Sequence, residues 1–595
     1  MAVPPIISYA FRRVPRLLAP LALVYATQRI LQSQNPQLAS QVSTLTWVVA
    51  YIVSLPLALT LSVFYGDWRD AKEARKHGAV LAPQVYDKWP GGLTMLGDLI
   101  ENFKFGYLME PVETWAKQYG NILNIRIFFA NSIFTSEPDH IKAILATQFD
   151  SFEKGPLFIQ QMHSLLGSGV FNSDGDMWKF HRSMTRPFFS KDRISHFELF
   201  GRKADSTIDQ LKARLREGHA VDIQDAVSRF TLDSATEFLF GQNVNSLSAG
   251  LPYPHTGEAH SSDTHPANVF ARAFGKAQHE AAFRFRFGAE WPLTEPLRLR
   301  TQDSMDIVRS FIDPILTEAL AKKRDAKRAG ILQDSELVED DTLLDYLVKH
   351  TDDETVLRDE TLNIMIAGRD TTATTLTFAV YLLARHPKAL ARLREEILSH
   401  VGSSRPPTYE DLREMKYLRA VVNETLRLYP AVPFNARTTR NAVLLSPTTP
   451  GGKPYYIPPG IGVQYSVWLM HRRTDLWGPD AAEFDPDRFL DERLAKYLTP
   501  NPFIFLPFNA GPRICLGQQF AYHESSFFLV RLLQAFSDIQ LAPDAQPAGS
   551  RAPPEWKGAP GTKGKETIQP KSHLTLYAHE GIWVRMQEDS LAAQI

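Results

Sequence analysis

The stretch Phe508-Asn-Ala-Gly-Pro-Arg-Ile-Cys-Leu-Gly517 contains the only cysteine of this 595-residue chain, Cys515. A thiolate near neutral pH needs a metal or positive surroundings, and it needs apolar cover against oxidation. Arg513 supplies a cation two residues before the sulfur, and Phe508 can cover it. A lone cysteine is more often a small buried apolar residue, so it is the spacing of the whole stretch that indicates a metal ligand.

This spacing, Phe-x-x-Gly-x-Arg-x-Cys-x-Gly, resembles the haem-binding signature of the cytochrome P450 superfamily, with Gly511 and Gly517 at the glycine positions. The resemblance implies that Cys515 ligates the iron of haem b (iron protoporphyrin IX) and favours O–O cleavage by electron release. It also implies that Arg513 contacts a haem propionate. Asn509 stands where glycine is usual. The implied fold is mainly α with small β-sheets in one large catalytic domain.

Glu424-Thr-Leu-Arg427 places a carboxylate and a guanidinium three residues apart, on one face of a helix. Taken alone, such a pair is usually a solvated surface contact that contributes little. Downstream, Phe484-Asp-Pro-Asp-Arg488-Phe resembles the family segment whose arginine joins this pair. The resemblance implies a buried structural network of Glu424, Arg427 and Arg488 behind the haem.

Ala367-Gly368-Arg-Asp370-Thr371-Thr lies inside a long helical pattern from Leu357 to Arg385. A glycine costs about 1 kcal/mol in a helix interior and threonine hydroxyls compete for backbone carbonyls, which predicts a local opening of the helix. The block is similar to the family's oxygen-binding helix, in which Asp370 and Thr371 would deliver protons during oxygen activation.

The Asp370 and Thr371 pair bears on the reaction class. An isomerase or dehydratase with a haem-thiolate needs no such proton delivery, so the pair favours a monooxygenase. A haem-thiolate isomerase or dehydratase and a non-catalytic haem sensor stay open as alternatives.

Trp178 and Arg182 are spaced to project from one helix face, within a run that resembles the family's haem-edge helix. Arg437 follows an extended segment directed by Pro433. The resemblance implies that Trp178, Arg182 and Arg437 contact propionates, so that with Arg513 three arginines would offset two negative charges. It places Ala367, Gly368, Phe508, Gly511 and Gly517 at the cofactor as well.

Beyond residue 90, helical periodicity dominates and strand-like runs are few and short, which predicts the mainly α class independently of the motifs. The helical patterns include His140–Gln148, Ile194–Arg216, Ser304–Lys323 and Pro387–Val401, and the strand-like runs are Ile122–Phe129, Tyr455–Ile457, Gly462–Val467 and Leu574–Tyr577. Two polar stretches rich in Pro, Gly or His, about 250–266 and 543–567, predict surface insertions in a catalytic domain of residues 95–595.

Residues 1–80 predict a membrane anchor. About 21 residues from Leu45 to Tyr65 carry no charge, the length of one bilayer-spanning helix. A basic flank follows them, which predicts a cytosolic catalytic domain, and the family resemblance implies the endoplasmic reticulum membrane. The shorter apolar stretch 17–27 predicts an interfacial helix or one arm of a short hairpin, and 81–94, with Gly91 and Gly92, predicts a hinge.

The chain has a formal net charge of −1, which gives no overall attraction to nucleic acid. It contains no flavin or nicotinamide pattern, so the resemblance implies electrons from a separate NADPH-cytochrome P450 reductase and oxygen from O2. The forms of the oxygen-helix and cysteine blocks look like the fungal branch that hydroxylates n-alkanes and fatty acids. A hydrophobic substrate of that kind is expected, with aromatic hydrocarbons as an alternative.

Overall fold

Helices make up most of the fold in a computed structural model that describes residues 4–189, 197–242, 244–254, 264–328 and 342–589. The predicted class, mainly α with small β-sheets, is confirmed. The first α-helices are α1 (Pro5–Gln34), α2 (Pro36–Gln41), α3 (Thr44–Lys76), α4 (Leu93–Phe105), α5 (Glu110–Tyr119), α6 (Pro138–Lys142), α7 (Gly155–Leu166), α8 (Gly175–Thr185), α9 (Glu198–Arg216), α10 (Ile223–Phe240) and α11 (Pro266–Phe283).

The remaining α-helices carry most of the predicted motifs. They are α12 (Gln302–Arg328), α13 (Leu343–His350), α14 (Glu354–Arg385), α15 (Pro387–His400), α16 (Tyr409–Glu414), α17 (Lys416–Leu428), α18 (Val467–Met470), α19 (Thr474–Trp477) and α20 (Gln518–Ala535). A short 3-10 turn, Gly511–Arg513, precedes the cysteine, and a longer 3-10 segment, Arg284–Thr294, follows α11.

The strands form small sheets at the edges of the helical body. They are β1 (Ile122–Ile127), β2 (Ala130–Thr135), β3 (Phe152–Glu153), β4 (Val221–Asp222), β5 (Phe434–Thr439), β6 (Val443–Leu445), β7 (Tyr455–Ile457), β8 (Gly462–Ser466), β9 (Phe536–Leu541), β10 (Pro570–Ser572), β11 (Leu576–Ala578) and β12 (Trp583–Glu588). The largest sheet has the order β1-β2-β8-β5-β3, with β2 and β8 parallel and the other neighbours antiparallel. The predicted strand at 574–577 begins and ends one or two residues later, as β11.

Helix α14 runs through the middle of the body. Asp353 caps its first turn by accepting hydrogen bonds from the backbone N–H groups of Thr355 and Val356. The helix ends at Arg385, just before His386 and Pro387, because the residue before a proline disfavours the α conformation. Most of its side chains are buried on all sides, so α14 is a core helix that gives the motif at 367–372 a fixed position.

The front of the chain differs from the prediction in length. The predicted span 45–65 lies in α3, which among the described residues is the one helix long and apolar enough to cross a membrane, and none of its apolar window is buried against protein. The stretch 17–27, predicted as a short arm, is part of the 30-residue helix α1. The Tyr51 hydroxyl of α3 donates to the Gln28 side chain of α1 over 3.2 Å, so the two helices form a pair.

The segment 81–94, predicted as a hinge, is bonded to the body. The backbone of Val80 pairs with Pro454 and Tyr456, and that of Val85 bonds to Asn124. Val85 is buried. The segment is therefore hydrogen-bonded to the body at these points, and its role as a hinge stays a prediction.

The two predicted insertions have different outcomes. Most of 250–266 lies outside the described residues. The segment 543–567 is packed into the body through the buried Trp556 and Glu566, and the Glu566 carboxylate accepts hydrogen bonds from Tyr429 and Tyr381. Its Pro and Gly content therefore reflects irregular backbone in contact with the core, and the segment does not lie wholly on the surface.

Candidate active site

The cysteine loop, residues 508–517, contains the 3-10 turn Gly511–Arg513 and ends at the start of α20. The backbone N–H of Cys515 donates to the Phe508 carbonyl over 3.0 Å, which closes the loop. Gly511 has a φ of +67°, and a Cβ at this position would collide with the Leu145 carbonyl. Only glycine fits there, because the left-handed backbone and the close approach both exclude a side chain.

The Cys515 thiol faces a cleft of about 780 Å³ between α8 and the cysteine loop. It is accessible from that cleft although protein surrounds it on the other sides. Burial raises the pKa of the thiol, whereas the backbone N–H of Gly517 and the Arg182 guanidinium lower it. A metal cation at the sulfur would supply the missing positive charge.

Asn509 occupies the loop position where glycine is usual. Its φ of +64° is left-handed, a conformation that asparagine tolerates better than most other residues. The Tyr465 hydroxyl donates to the Asn509 side-chain oxygen over 3.0 Å. The departure from the family pattern therefore keeps the required backbone and adds one hydrogen bond.

Four cations gather beside the loop, and we call them the cation cluster: Lys154, Arg182, Arg437 and Arg513. The Arg513 guanidinium lies over one face of Trp178, 4.5 Å from the ring centroid, and Arg182 approaches the same ring at 5.9 Å. The structure therefore brings together the tryptophan and the three arginines that the sequence placed at the propionates. Lys154 was not among the predicted residues.

The cation cluster lacks compensating charge. In the described part of the chain, Asp174 is the one carboxylate that forms an ion pair with a member, at 2.7 Å from Arg513. Burial, followed by repulsion from Arg437, lowers the pKa of Arg513 to about 10. Burial, with repulsion from Arg437 and Arg513, holds the pKa of Lys154 well below its usual value.

These residues fit a haem. A thiol that opens into a cleft would hold the iron of a haem, and the neighbouring cation cluster has an excess of positive charge that two propionates would largely offset. Two glycines in the loop leave room for a flat macrocycle close to the backbone. The donor set of one thiolate with arginines does not resemble a zinc or calcium site.

The second motif forms a buried carboxylate–arginine network of Glu424, Arg427 and Arg488. Arg427 binds Glu424 through two hydrogen bonds of 2.7 and 2.8 Å, and Arg488 lies 3.5 Å from the same carboxylate. All three side chains are at most 1 % exposed. The Glu424–Arg427 pair is therefore buried and is not a solvated surface contact.

Backbone carbonyls complete this network. Arg427 donates to the carbonyls of His471, Ala481 and Glu483, which lie on the segments before Arg488. Glu424 also accepts the Asp485 backbone N–H over 3.0 Å. These bonds fix the loops against α17.

The motif on α14 keeps helical geometry throughout. The Thr371 hydroxyl donates to the Ala367 carbonyl over 2.7 Å, the competition for a backbone acceptor that the sequence suggests, but the helix does not break there. A Cβ on Gly368 would lie 3.2 Å from Ala235 of α10, so Gly368 serves close helix packing on that side. Asp370 accepts a 2.8 Å hydrogen bond from Gln278 of α11.

A second buried pair, not identified from the sequence, connects α8 to α14. His181 Nδ1 lies 2.8 Å from a Glu360 oxygen, and the Thr185 hydroxyl donates to the other oxygen over 2.9 Å. Both members of the pair are fully buried. The one sequence signal is the position of His181 next to Arg182, and its partner lies 179 residues away along the chain, as the two positions show.

Comparison with known proteins decides the family. The family model "Cytochrome P450" matches residues 90–551. The chain belongs to the cytochrome P450 family.

Fungal relatives cover much of this P450. It is 34% identical to cytochrome P450 52A6 of Candida tropicalis over 94% of this chain and 100% of that protein. It is 37% identical to cytochrome P450 52A3-A of Candida maltosa over 77% of this chain and 85% of the relative. Cytochrome P450 monooxygenase himC of Aspergillus japonicus is 36% identical over 76% of each chain.

The predicted family and enzyme class are confirmed by these matches. The protein is a cytochrome P450 monooxygenase, an oxidoreductase, and P450 proteins bind haem. Enzymes of this class use O2, a redox partner and hydrophobic substrates. The apolar helix α3 is consistent with anchoring to a membrane.

Proposed function

We propose that this P450 holds haem b through Cys515 and inserts one atom of O2 into a hydrophobic substrate, with n-alkanes and fatty acids as the first candidates. The observation that carries the proposal is the Cys515 thiol facing a cleft beside the undercompensated cation cluster. When bound, the haem supplies oxygen activation. Trp178, Arg182, Arg437 and Arg513 would hold its propionates.

The substrate class is supported by motif forms that look like the fungal alkane and fatty-acid branch. Electrons would come from a separate NADPH-cytochrome P450 reductase, because the chain contains no flavin or nicotinamide pattern. The exposed apolar surface of α3 and the basic residues that end it support an anchor in the endoplasmic reticulum membrane with a cytosolic catalytic domain.

The test is a spectrum of the reduced, carbon-monoxide-bound protein, followed by product analysis with NADPH, reductase and three substrate classes: alkanes, fatty acids and polycyclic aromatics. We expect the Soret shift typical of a thiolate ligand and hydroxylated alkane or fatty-acid products. A spectrum without that shift would refute the role of Cys515. Turnover without NADPH consumption would indicate the isomerase class instead.

Asp370 and Thr371 are proposed to deliver protons during oxygen activation. They are neighbours on α14, and Asp370 is held by Gln278 while the Thr371 hydroxyl is held by the Ala367 carbonyl, so both groups have fixed positions.

We expect Thr371→Ala to retain the haem spectrum but to consume NADPH with little product and release of hydrogen peroxide. Thr377→Ala is the matched control, because its hydroxyl makes the same bond to the carbonyl four residues earlier, in a buried part of α14. The measurement is the ratio of product to NADPH oxidised. Equal ratios in both variants would remove Thr371 from the proton path.

A further inference from the structure

A buried carboxylate on α14 has no part in the proposed function. Glu360 is fully buried and lies seven residues before Ala367, about two helical turns ahead of the predicted oxygen-binding motif. Three groups from outside α14 meet its two oxygens: His181 Nδ1 lies 2.8 Å away, and the Thr185 hydroxyl and the Val170 backbone N–H each donate over 2.9 Å. A buried carboxylate with three such partners holds them in fixed positions.

Two of these partners belong to α8, the helix that carries predicted propionate contacts. His181 and Thr185 are four residues apart, so they lie on one face of α8, and both are fully buried. Trp178 and Arg182 are also four residues apart, and they line the cleft that the Cys515 thiol faces. One face of α8 therefore contacts α14 while another contacts the cleft, so the first contact sets the position of the second.

The third partner belongs to the loop between α7 and α8, which other side chains of α14 also hold. Asp359 accepts the Ser168 backbone N–H over 2.7 Å, and Asn363 accepts that of Phe171 over 3.0 Å. The loop lies so close to α14 that a Cβ on Gly169 would be 2.4 Å from the Asn363 amide nitrogen. The backbone of the loop is thus bonded directly to the helix.

Glu360 differs from its two neighbours in reaching α8. In the described ranges, no hydrogen bond connects Asp359 or Asn363 to that helix. The other ring nitrogen of His181, Nε2, is buried and has no hydrogen-bond partner in the part of the chain that the structure describes. Loss of the Glu360 carboxylate would therefore leave a buried imidazole without its charged neighbour, and this would favour movement of α8.

We propose that Glu360 is a positioning residue for the haem: it fixes α8 against α14, so that Trp178 and Arg182 meet the propionates while α14 stays at the opposite side of the cofactor. Glu360 acts through α8 and touches neither substrate nor cofactor. The inference rests on the proposed function, in which Cys515 holds the haem.

Glutamine can replace Glu360 if its role is one of position. The amide oxygen can accept from Val170 and from His181, and the amide nitrogen can donate to the Thr185 hydroxyl. That reversal is possible because Thr185 already has a second acceptor, the His181 carbonyl at 2.7 Å. Leucine has a similar size but offers no polar atom, so Glu360→Leu removes every one of these contacts.

The experiment measures the transfer of haem from the protein to an excess of apomyoglobin in wild type, Glu360→Gln and Glu360→Leu. We expect haem to dissociate about 10-fold faster from Glu360→Leu, and at a rate within about twofold of wild type from Glu360→Gln. Thr185→Val is a nearly isosteric second variant that loses only one bond between α8 and α14, and we expect about threefold faster dissociation. If Glu360→Leu does not fold, Thr185→Val alone decides the result.

Asp233→Leu is the matched control. Asp233 is another buried carboxylate that holds a loop, through the backbone N–H groups of Ser246 and Leu247 at 2.7 and 3.2 Å, but that loop carries no residue of the candidate site. We expect its haem dissociation to stay within about twofold of wild type. Equal haem loss in Asp233→Leu and Glu360→Leu would mean that general loosening of the fold releases the haem, and it would overturn the proposal.

Two further results would also overturn it: wild-type dissociation from Thr185→Val, or loss from Glu360→Gln as fast as from Glu360→Leu. These outcomes are distinct from failure of the proposed function. If wild type lacks the thiolate-type Soret shift, the proposed function fails. If wild type shows the shift and the variants retain haem equally well, only the role of Glu360 fails.

Discussion

Two groups of buried charge lie near the cysteine loop, and they differ in balance. The carboxylate–arginine network of Glu424, Arg427 and Arg488 is balanced once Asp480 is counted, because Arg427 binds Glu424 and backbone carbonyls while Arg488 lies 3.0 Å from Asp480. Among the described residues, Asp174 is the one carboxylate paired with the cation cluster of Lys154, Arg182, Arg437 and Arg513. Buried charges that are balanced stabilise the fold. Buried cations that are not balanced repel each other, and a bound anion relieves that repulsion.

The largest effect is expected at the balanced group. Arg427→Met removes both bonds to Glu424 and the donors to three carbonyls, and it leaves a fully buried carboxylate beside a more distant Arg488. Loss of one partner from a buried ion pair costs about 3–5 kcal/mol. We expect a corresponding decrease in the free energy of unfolding, measured by denaturant titration, and a sharp decrease in protease resistance.

Arg392→Met is the control for this substitution. Its guanidinium pairs with Asp487 at 2.8 Å on the surface, where half of the arginine side chain is exposed. An exposed pair of this type contributes about 0–1 kcal/mol. Comparable losses in the two variants would mean that burial of the network is not what stabilises the fold.

A smaller and different effect is expected at the unbalanced group. Arg437→Met removes a 3 % exposed cation that lowers the pKa of Lys154 and of Arg513. Because the substitution relieves repulsion, the free energy of unfolding without haem should change by less than about 1 kcal/mol. Haem should dissociate about 10-fold faster, because one propionate partner is lost.

Transfer of haem to an excess of apomyoglobin measures that dissociation, and circular dichroism of the haem-depleted protein measures its unfolding. The comparison between the two groups fails if Arg437→Met destabilises the haem-depleted protein as strongly as Arg427→Met does. The same conclusion would follow if Arg437→Met released haem no faster than the wild type.

The sequence predicts the carboxylate–arginine network more completely than the cation cluster. Glu424, Arg427 and Arg488 lie in short motifs whose spacing is preserved, so the network could be predicted and the structure places its members together. Lys154 has no motif of its own, and it joins the cation cluster because α7 begins beside Asp174, whose carboxylate accepts the Lys154 and Gly155 backbone N–H groups. Contacts of this kind depend on tertiary packing between distant segments.

Contacts between distant segments also decide the structure at the front of the chain and after α11, where the sequence predicts less. Hydropathy predicts the span in α3, but the continuation of α1 through Pro15 and Pro20 does not follow from it, because α1 is also held by Arg13 against Glu290. Glu295 pairs with Arg284 and Glu280 with Arg300, and the sequence does not show which arginine each carboxylate binds.

The smallest expected effect tests the one departure from the family pattern within the loop that holds the thiol. Asn509→Ala keeps a side chain in the left-handed region and removes the bond from Tyr465, so we expect a loss of about 1 kcal/mol in stability of the haem-loaded protein, measured by thermal unfolding. Asn509→Gly loses the same bond but has no penalty for a φ of +64°, so its loss should be about half or less. Tyr465→Phe isolates the hydrogen bond. If the glycine variant is as unstable as the alanine variant, the position requires the asparagine side chain and not the left-handed backbone, and the loop then differs from the family in how it is held.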